Sequence, residues 1–200
     1  MQSGGAIREA ATTLFLRKGY LGTSMDEIAA QAGVSKQTVY THFTDKQQLF
    51  SELVLGNTER VDRFVEVITE VLWDTDYLES DMRELARRYV SFVIQPRVLQ
   101  LRRLVIGEAD RFPELARTYY QRVPARTIAT LAARLEHLAE RGLLTLDDPR
   151  LAAEHFVALI LWGPLDRAMF ISDDETLPAT ELERLADAGV RVFLAAYAAS

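Results

Sequence analysis

Hydrogen-bonding side chains are concentrated in one short segment, Ser35-Lys-Gln-Thr-Val-Tyr-Thr-His42. Val39 and Phe43 stand four residues apart, so in a helix both face the same side, together with Val34. The polar side chains then lie on the other faces, where they can hydrogen-bond to base edges and phosphates in a major groove. This exposed set comprises Lys36, Gln37, Thr38, Tyr40, Thr41 and His42.

Each side chain of this set suits a particular contact with DNA. The Gln37 amide can pair bidentately with adenine, and the Lys36 ammonium can reach a guanine or a phosphate. Tyr40 and His42 suit phosphate contacts. Lys46, in the first turn of the following helix, supplies a further cation.

Capping residues predict the helices that position these side chains. Ser24-Met-Asp-Glu27 and Thr44-Asp-Lys-Gln47 are two capping boxes, and the second begins a long helix toward Trp73. Gly33 supplies the positive φ of a sharp turn, and Ser35 caps the next helix. The free N–H groups at the helix starts near Ser24 and Thr44 can also bind phosphate.

An amphipathic helix precedes these elements and completes a three-helix unit. Its apolar positions recur at helical spacing and end before Gly19 and Gly22: Ile7, Ala10, Ala11, Leu14 and Phe15. Three short helices with a glycine turn between the second and third form a helix-turn-helix. Such units also occur in bundles that bind no nucleic acid, so the spacing leaves both readings open.

Positive charge is concentrated at the N-terminal end of an acidic chain. The 200 residues carry a formal charge of −6, yet residues 1–50 hold five basic and four acidic side chains, a net charge of +1. The other residues therefore carry −7, and all three lysines lie within the first 50. This distribution favours an anionic partner for the N-terminal segment.

The remaining sequence predicts further helices and no strand. Apolar periodicity and proline positions indicate helices over 81–94, 97–109, 113–141, 149–171 and 178–198. Pro124 and Gly163-Pro164 lie inside two of these runs and are expected to bend them. The sequence therefore predicts an all-α fold of about nine helices.

No pattern for catalysis or metal binding occurs in the sequence. The chain has no cysteine, and His42, His137 and His155 lack the spacing of metal ligands. No apolar run is long enough to span a membrane, and the N-terminus lacks a secretory pattern. We therefore expect no enzymatic activity, no cofactor, no metal and no membrane partner, and a cytoplasmic location.

The N-terminal motifs carry a family resemblance over about residues 6–52. The matching segments are Thr23 to Ala29, Ala32-Gly33-Val34-Ser35, Thr38-Val39-Tyr40, His42-Phe43 and Asp45 to Phe50. They resemble the DNA-binding domain of TetR-family regulators. The resemblance implies a homodimeric transcription factor, most often a repressor, that binds a palindromic operator in double-stranded DNA. It implies that Thr23 and Ser24 touch phosphate, that Lys36, Gln37 and Thr38 contact bases, and that Tyr40, His42 and Lys46 hold the backbone.

A second, weaker resemblance covers the C-terminal part. The segments Arg103 to Ala109, Arg111 to Arg117, Arg141-Gly-Leu and Asp148-Pro149 are similar to the AefR-like C-terminal domain of some TetR regulators. The two resemblances predict a helix-turn-helix DNA-binding domain over residues 1–50 and a helical effector-binding and dimerisation domain over 51–200.

Two sets of residues are candidates for the functions of the C-terminal domain. Aromatic and apolar side chains of the middle helices could line a site for a hydrophobic or aromatic inducer, with an arginine for an anion: Trp73, Phe92, Arg103, Tyr119, Tyr120, Phe156, Trp162, Met169 and Phe170. The last two helices are apolar on more than one face, and the family resemblance implies that they dimerise. The interface candidates are Leu161, Leu165, Leu182, Leu185, Gly189, Val192, Phe193 and Tyr197.

The sequence thus predicts a ligand-responsive homodimeric regulator, with repression as the leading mode. Two alternatives stay open at this point, an activator with the same fold and a helical adaptor that has lost DNA binding. The helical spacing of the aromatic residues in the inducer set is also consistent with ordinary packing in the hydrophobic core.

Overall fold

The computed structural model describes residues 2–56, 58–171 and 177–199, and its regular structure is helical. The helices are α1 (Gln2–Lys18), α2 (Met25–Ala32), α3 (Lys36–His42), α4 (Lys46–Gly56), α5 (Thr58–Glu70), α6 (Leu78–Val93), α7 (Pro96–Gly107), α8 (Pro113–Tyr120), α9 (Arg126–Glu140), α10 (Pro149–Phe170) and α11 (Ala179–Tyr197). The predicted all-α class is confirmed. None of the described helices is both long and apolar enough to cross a membrane.

Two predicted long helices are divided in the structure. The helix predicted from Asp45 to Trp73 is observed as α4 and α5, which flank residue 57, a position outside the described residues; α5 ends at Glu70. The helix predicted over 113–141 is interrupted by a π-helical turn, Gln121–Ala125, that contains Pro124. Proline has no N–H to donate, so a wider turn at this point accommodates the lost hydrogen bond. By contrast, α10 continues through Pro164.

The described residues divide into two compact units. The first, which we call the head, comprises residues 1–59 together with 100–120, and the second, the body, comprises 60–99 with 121–200. The head therefore includes a segment from the middle of the chain in addition to the predicted N-terminal domain.

The head has its own apolar core. The predicted face of α1 is buried, and α2, α3 and α4 pack on it. Phe112 contacts the rings of Tyr20 and Phe50, with centroid distances of 4.7 and 5.5 Å. The buried residues are Ile7, Ala10, Ala11, Leu14, Phe15, Met25, Ile28, Ala29, Val39, Phe43, Leu49, Phe50, Leu53 and Val54.

The body is a helical bundle in which α11 packs against α6 and α10, and α10 packs against α9. Phe156 and Phe193 meet edge to face in its core, with ring centroids 5.2 Å apart. Asp148 caps α10 as predicted, because its carboxylate accepts hydrogen bonds from the amides of Arg150 and Leu151. The backbone beyond α11 pairs with residues 143–145 through an isolated antiparallel bridge.

Candidate nucleic-acid interface

The turn between α2 and α3 has the geometry that the sequence predicts. Gly33 adopts φ 67° and ψ 30°, the left-handed region that favours glycine. Ser35 then caps α3, and its hydroxyl oxygen accepts the amide hydrogen of Thr38 at 3.1 Å. The chain therefore changes direction between Ala32 and Lys36, and α3 packs against α2.

The capping box at the start of α2 is present and carries an additional ion pair. Ser24 Oγ accepts the Glu27 amide at 3.2 Å, and the Glu27 carboxylate accepts the Ser24 amide at 3.0 Å. Lys18 Nζ lies 2.6 Å from the same carboxylate. The hydrogen bond from Lys18, followed by those from Ser24, lowers the pKa of Glu27 from 4.5 to about 2.

This pKa shift predicts a pH dependence of stability. A carboxyl group whose pKa is lowered on folding stabilises the folded state above its unfolded pKa, and this contribution is lost as the pH falls toward the folded value. Glu27→Gln keeps a hydrogen-bond acceptor but not the charge. We expect wild type to melt at a higher temperature than Glu27→Gln at neutral pH. Thermal unfolding from pH 7 to pH 2 should show this difference closing between about pH 4.5 and pH 2. A difference that stays constant down to pH 2 would show that Glu27 does not act through its charge.

The third helix has a buried face and an exposed face. Val39 is fully buried and Phe43 is 2% exposed, as predicted, whereas Val34 is only half-buried. The buried pair fixes α3 on the head core and leaves the predicted DNA-contacting set outside. Of this set, Lys36, Gln37, Tyr40, Thr41 and His42 are exposed, and Thr38 is half-buried.

An ion pair across the turn was not predicted from the sequence. Lys36 Nζ lies 2.7 and 3.1 Å from the two carboxylate oxygens of Asp26, and this contact raises the pKa of Lys36. The two residues are ten positions apart on different helices, so no spacing within one helix indicates the pair. Both side chains are mostly exposed, and such pairs contribute little to stability. The ammonium can therefore exchange this carboxylate for a phosphate at little cost.

Two residues that the resemblance assigns to the DNA backbone are directed into the protein. The Thr23 side chain is 2% exposed, and its hydroxyl donates to the Gly19 carbonyl at 2.9 Å. Lys46 Nζ donates to the carbonyls of Tyr20 and Thr23 at 2.9 and 2.8 Å. These contacts hold the turn between α1 and α2. Of Thr23 and Ser24, the two residues assigned to phosphate at this turn, only Ser24 is exposed.

The N-cap of α4 lies one residue later than predicted, and the glutamine three residues after it accepts the amide before the cap residue. Asp45, rather than Thr44, caps α4, and its carboxylate accepts the Gln48 amide at 2.8 Å. The Gln48 side chain in turn accepts the Thr44 amide at 2.7 Å. Threonine and aspartate are both frequent N-cap residues, so adjacent positions compete, and the charged acceptor takes the cap here.

The nine residues predicted for an inducer site lie in different parts of the structure. Arg103, Tyr119 and Tyr120 belong to the head, whereas the other six belong to the body. Phe156 lies in the body core and Met169 is half-buried against it. Trp73 and Phe92 line two different open cavities, of about 590 and 360 Å³.

Two members of that set are strongly exposed. Trp162 is 70% and Phe170 is 85% exposed on α10. An indole or phenyl ring that faces outward cannot line an enclosed site within one chain. These two side chains form part of an exposed apolar face instead.

The residues predicted for a dimer interface are also divided between inside and outside. Leu161, Leu182, Gly189 and Phe193 are buried within the chain. Their burial results from the packing of α11 on α10: a Cβ on Gly189 would lie 2.8 Å from Ile160 Cγ2 and from the Leu159 carbonyl oxygen. Val192 is 55% exposed, and Leu165, Leu185 and Tyr197 are half-buried.

Two family models match the chain. Residues 7–53 match the model described as bacterial regulatory proteins of the tetR family. Residues 80–199, more than half of the chain, match the C-terminal domain of AefR-like transcriptional repressors.

Similar proteins of known structure or sequence agree with these matches. A regulator from Mesorhizobium loti MAFF303099, assigned to the TetR family, is 44% identical with a TM-score of 0.90, over 97% of this chain and 96% of that one. The flavonoid-responsive regulator FrrA is 33% identical with a TM-score of 0.74, over 97% of this chain and 96% of that one. The HTH-type transcriptional regulator YdgC of Bacillus subtilis is 24% identical over 84% of this chain and 95% of its own length.

Proposed function

Because the chain belongs to the TetR family, whose members are non-enzymatic transcriptional regulators with a DNA-binding helix-turn-helix, we propose that it is a ligand-responsive homodimeric repressor. It binds a palindromic operator in the cytoplasm through α2 and α3, and a small-molecule inducer releases it.

The polar face of α3 carries the proposal for operator binding. Lys36, Gln37, Tyr40 and His42 are exposed together on a helix whose opposite face is anchored by buried Val39. These side chains supply the amide, ammonium, hydroxyl and imidazole groups that contact base edges and phosphates. We assign base contacts to Lys36, Gln37 and Thr38, and backbone contacts to Ser24, Tyr40 and His42.

Repression is supported by the match of the C-terminal region to the AefR-like repressor model over residues 80–199. A repressor needs only to occupy an operator that overlaps a promoter, whereas an activator must also contact the polymerase. The operator position in the genome will distinguish these two modes.

An apolar stripe along α10 supports the dimer. Leu151, Leu159, Trp162 and Phe170 are spaced so that they share one face of the helix, and they are 41% to 85% exposed. Val192 on the neighbouring α11 is 55% exposed. Single exposed apolar side chains are ordinary. The exposed polar residues His155 and Asp166 lie between these four on the same face, but four large exposed apolar side chains on one side of a helix favour an interaction surface. We propose that two copies pack these faces together in an isologous interface.

A relative's ligand supports the class of inducer. FrrA is named as flavonoid-responsive, and its identity to this chain extends over nearly the whole length. An inducer of this chain is therefore proposed to be a hydrophobic or aromatic small molecule that binds within the body.

Induction follows from linkage between the two sites. Recognition helices of a dimer fit half-sites about 34–36 Å apart, so an inducer that prefers a different head spacing weakens operator binding. By thermodynamic necessity, operator DNA weakens the binding of that inducer by the same factor. An inducer whose affinity is unchanged by saturating operator would contradict this scheme.

The decisive experiment is in vitro selection from random duplex DNA. We expect wild type to enrich a palindrome, and its affinity for that sequence to fall by roughly 10³-fold or more between 50 and 200 mM salt if six or more phosphates are contacted. We expect the triple variant Lys36→Ala/Gln37→Ala/Tyr40→Ala to enrich no sequence, because it lacks the side chains that contact bases.

A charge-matched control separates loss of recognition from loss of charge. Arg150→Ala also removes one positive charge, at an exposed position of α10 in the body, and should enrich the same palindrome as wild type. A folded wild-type dimer that enriches nothing would contradict the proposal, provided that mass spectrometry shows no ligand bound to the purified protein.

A further inference from the structure

Asp26 places a negative charge beside the surface that we assign to the operator. Its two carboxylate oxygens lie 2.7 and 3.1 Å from Lys36 Nζ. Lys36 is the first residue of α3, and Tyr40 follows one turn later on the same exposed face. A carboxylate at this place opposes the approach of a polyanion, so its presence in a DNA-binding surface calls for a specific role.

The Asp26 carboxylate is not needed to build α2. Ser24 and Glu27 form the capping box of this helix, and the Glu27 carboxylate is held by Lys18 Nζ at 2.6 Å. The Asp26 side chain is 65% exposed and that of Lys36 is 59% exposed. An exposed ion pair of this kind contributes little to stability, so we looked for its effect in DNA binding.

The pair changes which DNA groups Lys36 binds most favourably. The two contacts with Asp26 use at most two of the three N–H donors of the ammonium. A remaining donor can bind N7 or O6 of guanine, and because a base edge carries no net charge, Asp26 can keep its partner. When Lys36 binds a phosphate instead, losing the weak pair costs the ammonium little, but the Asp26 carboxylate is left unpaired beside the DNA backbone.

The same reasoning applies to the counterions of the DNA. A free ammonium that neutralises a phosphate releases counterions, and this release supplies most of the affinity for DNA of arbitrary sequence. An ammonium paired with a carboxylate has no net charge to contribute. The pair therefore weakens binding to non-operator DNA more than binding to a site where Lys36 contacts a base.

We propose that Asp26 is a positioning residue for specificity, which keeps Lys36 for base contacts and away from phosphates. Its effect on DNA rests on the proposed function, whereas the ion pair itself is a property of the free protein.

The proposal is tested by the affinities for the operator and for a duplex that lacks it. Asp26→Asn keeps the size of the side chain and removes its charge. We expect the affinity for the non-operator duplex to rise about tenfold or more at about 0.1 M salt, with a slope of log affinity against log salt steeper by about 0.9 per head, or about 1.8 per dimer. Operator affinity should change much less, so the ratio of the two affinities should fall about tenfold.

Glu114→Gln is the matched control for charge. Glu114 forms another exposed ion pair of the head, with Arg117 at 3.0 Å, and the side chains of Arg117 and Glu114 are 63% and 80% exposed. This variant also loses one negative charge and frees one cation. We expect both DNA affinities to remain those of wild type. An equal rise in Asp26→Asn and Glu114→Gln would reduce the effect to net charge and overturn the proposal.

A double-mutant cycle tests whether Asp26 acts through Lys36. In a Lys36→Gln background, Asp26→Asn should change the non-operator affinity no more than Glu114→Gln does. A rise as large as in the wild-type background would show that Asp26 repels DNA directly. All variants are compared at a temperature where circular dichroism shows them folded.

Nuclear magnetic resonance of the lysine side chains tests the ion pair without DNA. The hydrogen bond from Lys36 to Asp26, followed by the charge of that carboxylate, raises the pKa of Lys36. Asp26→Asn should lower this pKa, and Glu114→Gln should not. An unchanged pKa in Asp26→Asn would show that the pair is absent in solution and would refute the positioning role. A wild type that selects no operator would refute the proposed function instead and leave this titration interpretable.

Discussion

Trp162→Asp should convert the dimer to monomers without unfolding the chain. The Trp162 side chain is 70% exposed within one chain, so its replacement removes little from the intrachain core. In the proposed dimer the same indole is buried against a second copy, where an unpaired carboxylate is costly. Loss of the dimer also loses the gain from binding two half-sites at once, on the order of 10²- to 10⁴-fold in affinity. Sedimentation and operator titration will measure the two effects.

Tyr77→Asp is the matched control for this change. Tyr77 is 76% exposed on the loop between α5 and α6, also in the body, and it lies outside the proposed interface. We expect this variant to remain dimeric and to bind the operator as wild type does. If Trp162→Asp also stays dimeric with unchanged operator affinity, the interface lies on another face. If the separated chain unfolds instead, the unfolding midpoint of wild type should rise with protein concentration, as for an obligate dimer.

Gly189→Leu should destabilise the body strongly. Even a Cβ at this position would lie 2.8 Å from Ile160 Cγ2 and 2.8 Å from the Leu159 carbonyl oxygen. The Ile160 methyl group can rotate away, but the backbone carbonyl can move only with α10. Overpacking of this kind costs about 3 kcal/mol or more, which exceeds the gain of about 1 kcal/mol in helix propensity over glycine. The net cost of about 2 kcal/mol predicts a decrease of about 4–8 °C in the melting temperature.

The same substitution at Gly5 provides the control. Gly5 lies in α1, and a Cβ there would meet no other heavy atom within 4 Å. Gly5→Leu should leave the melting temperature unchanged or raise it slightly, because only helix propensity changes. Equal effects at the two positions would show that the contact between α10 and α11 is looser than the structure indicates.

The head was largely predictable because its determinants act over short distances in sequence. The apolar face of α1, the Ser24–Glu27 capping box and the turn at Gly33 each depend on residues within four positions of one another. Such contacts form whenever the local helix forms, whatever the rest of the chain does. The N-cap of α4 was predicted one residue too early. Thr44 and Asp45 are both good N-cap residues, and the sequence does not show which of the two caps the helix.

The body was predictable as a set of helices but not in the contacts between them. α10 and α11 are apolar on more than one face, and periodicity does not say which face meets the same chain. Gly189 was predicted at a partner's surface, yet it permits the close approach of α11 to α10 within one chain. Trp162 and Phe170 were predicted in a ligand site, yet they face outward.

The sequence by itself therefore determined the helices, their caps and turns, and the polar face of α3, because these depend on near neighbours along the chain. Tertiary structure alone decided the partners of Lys36 and Lys46. Asp26 approaches Lys36 from another helix, and the carbonyls that hold Lys46 precede it by 26 and 23 residues. Whether a lysine ammonium faces solvent or the protein depends on which acceptors lie within its reach. Distant segments bring those acceptors close only when they pack together.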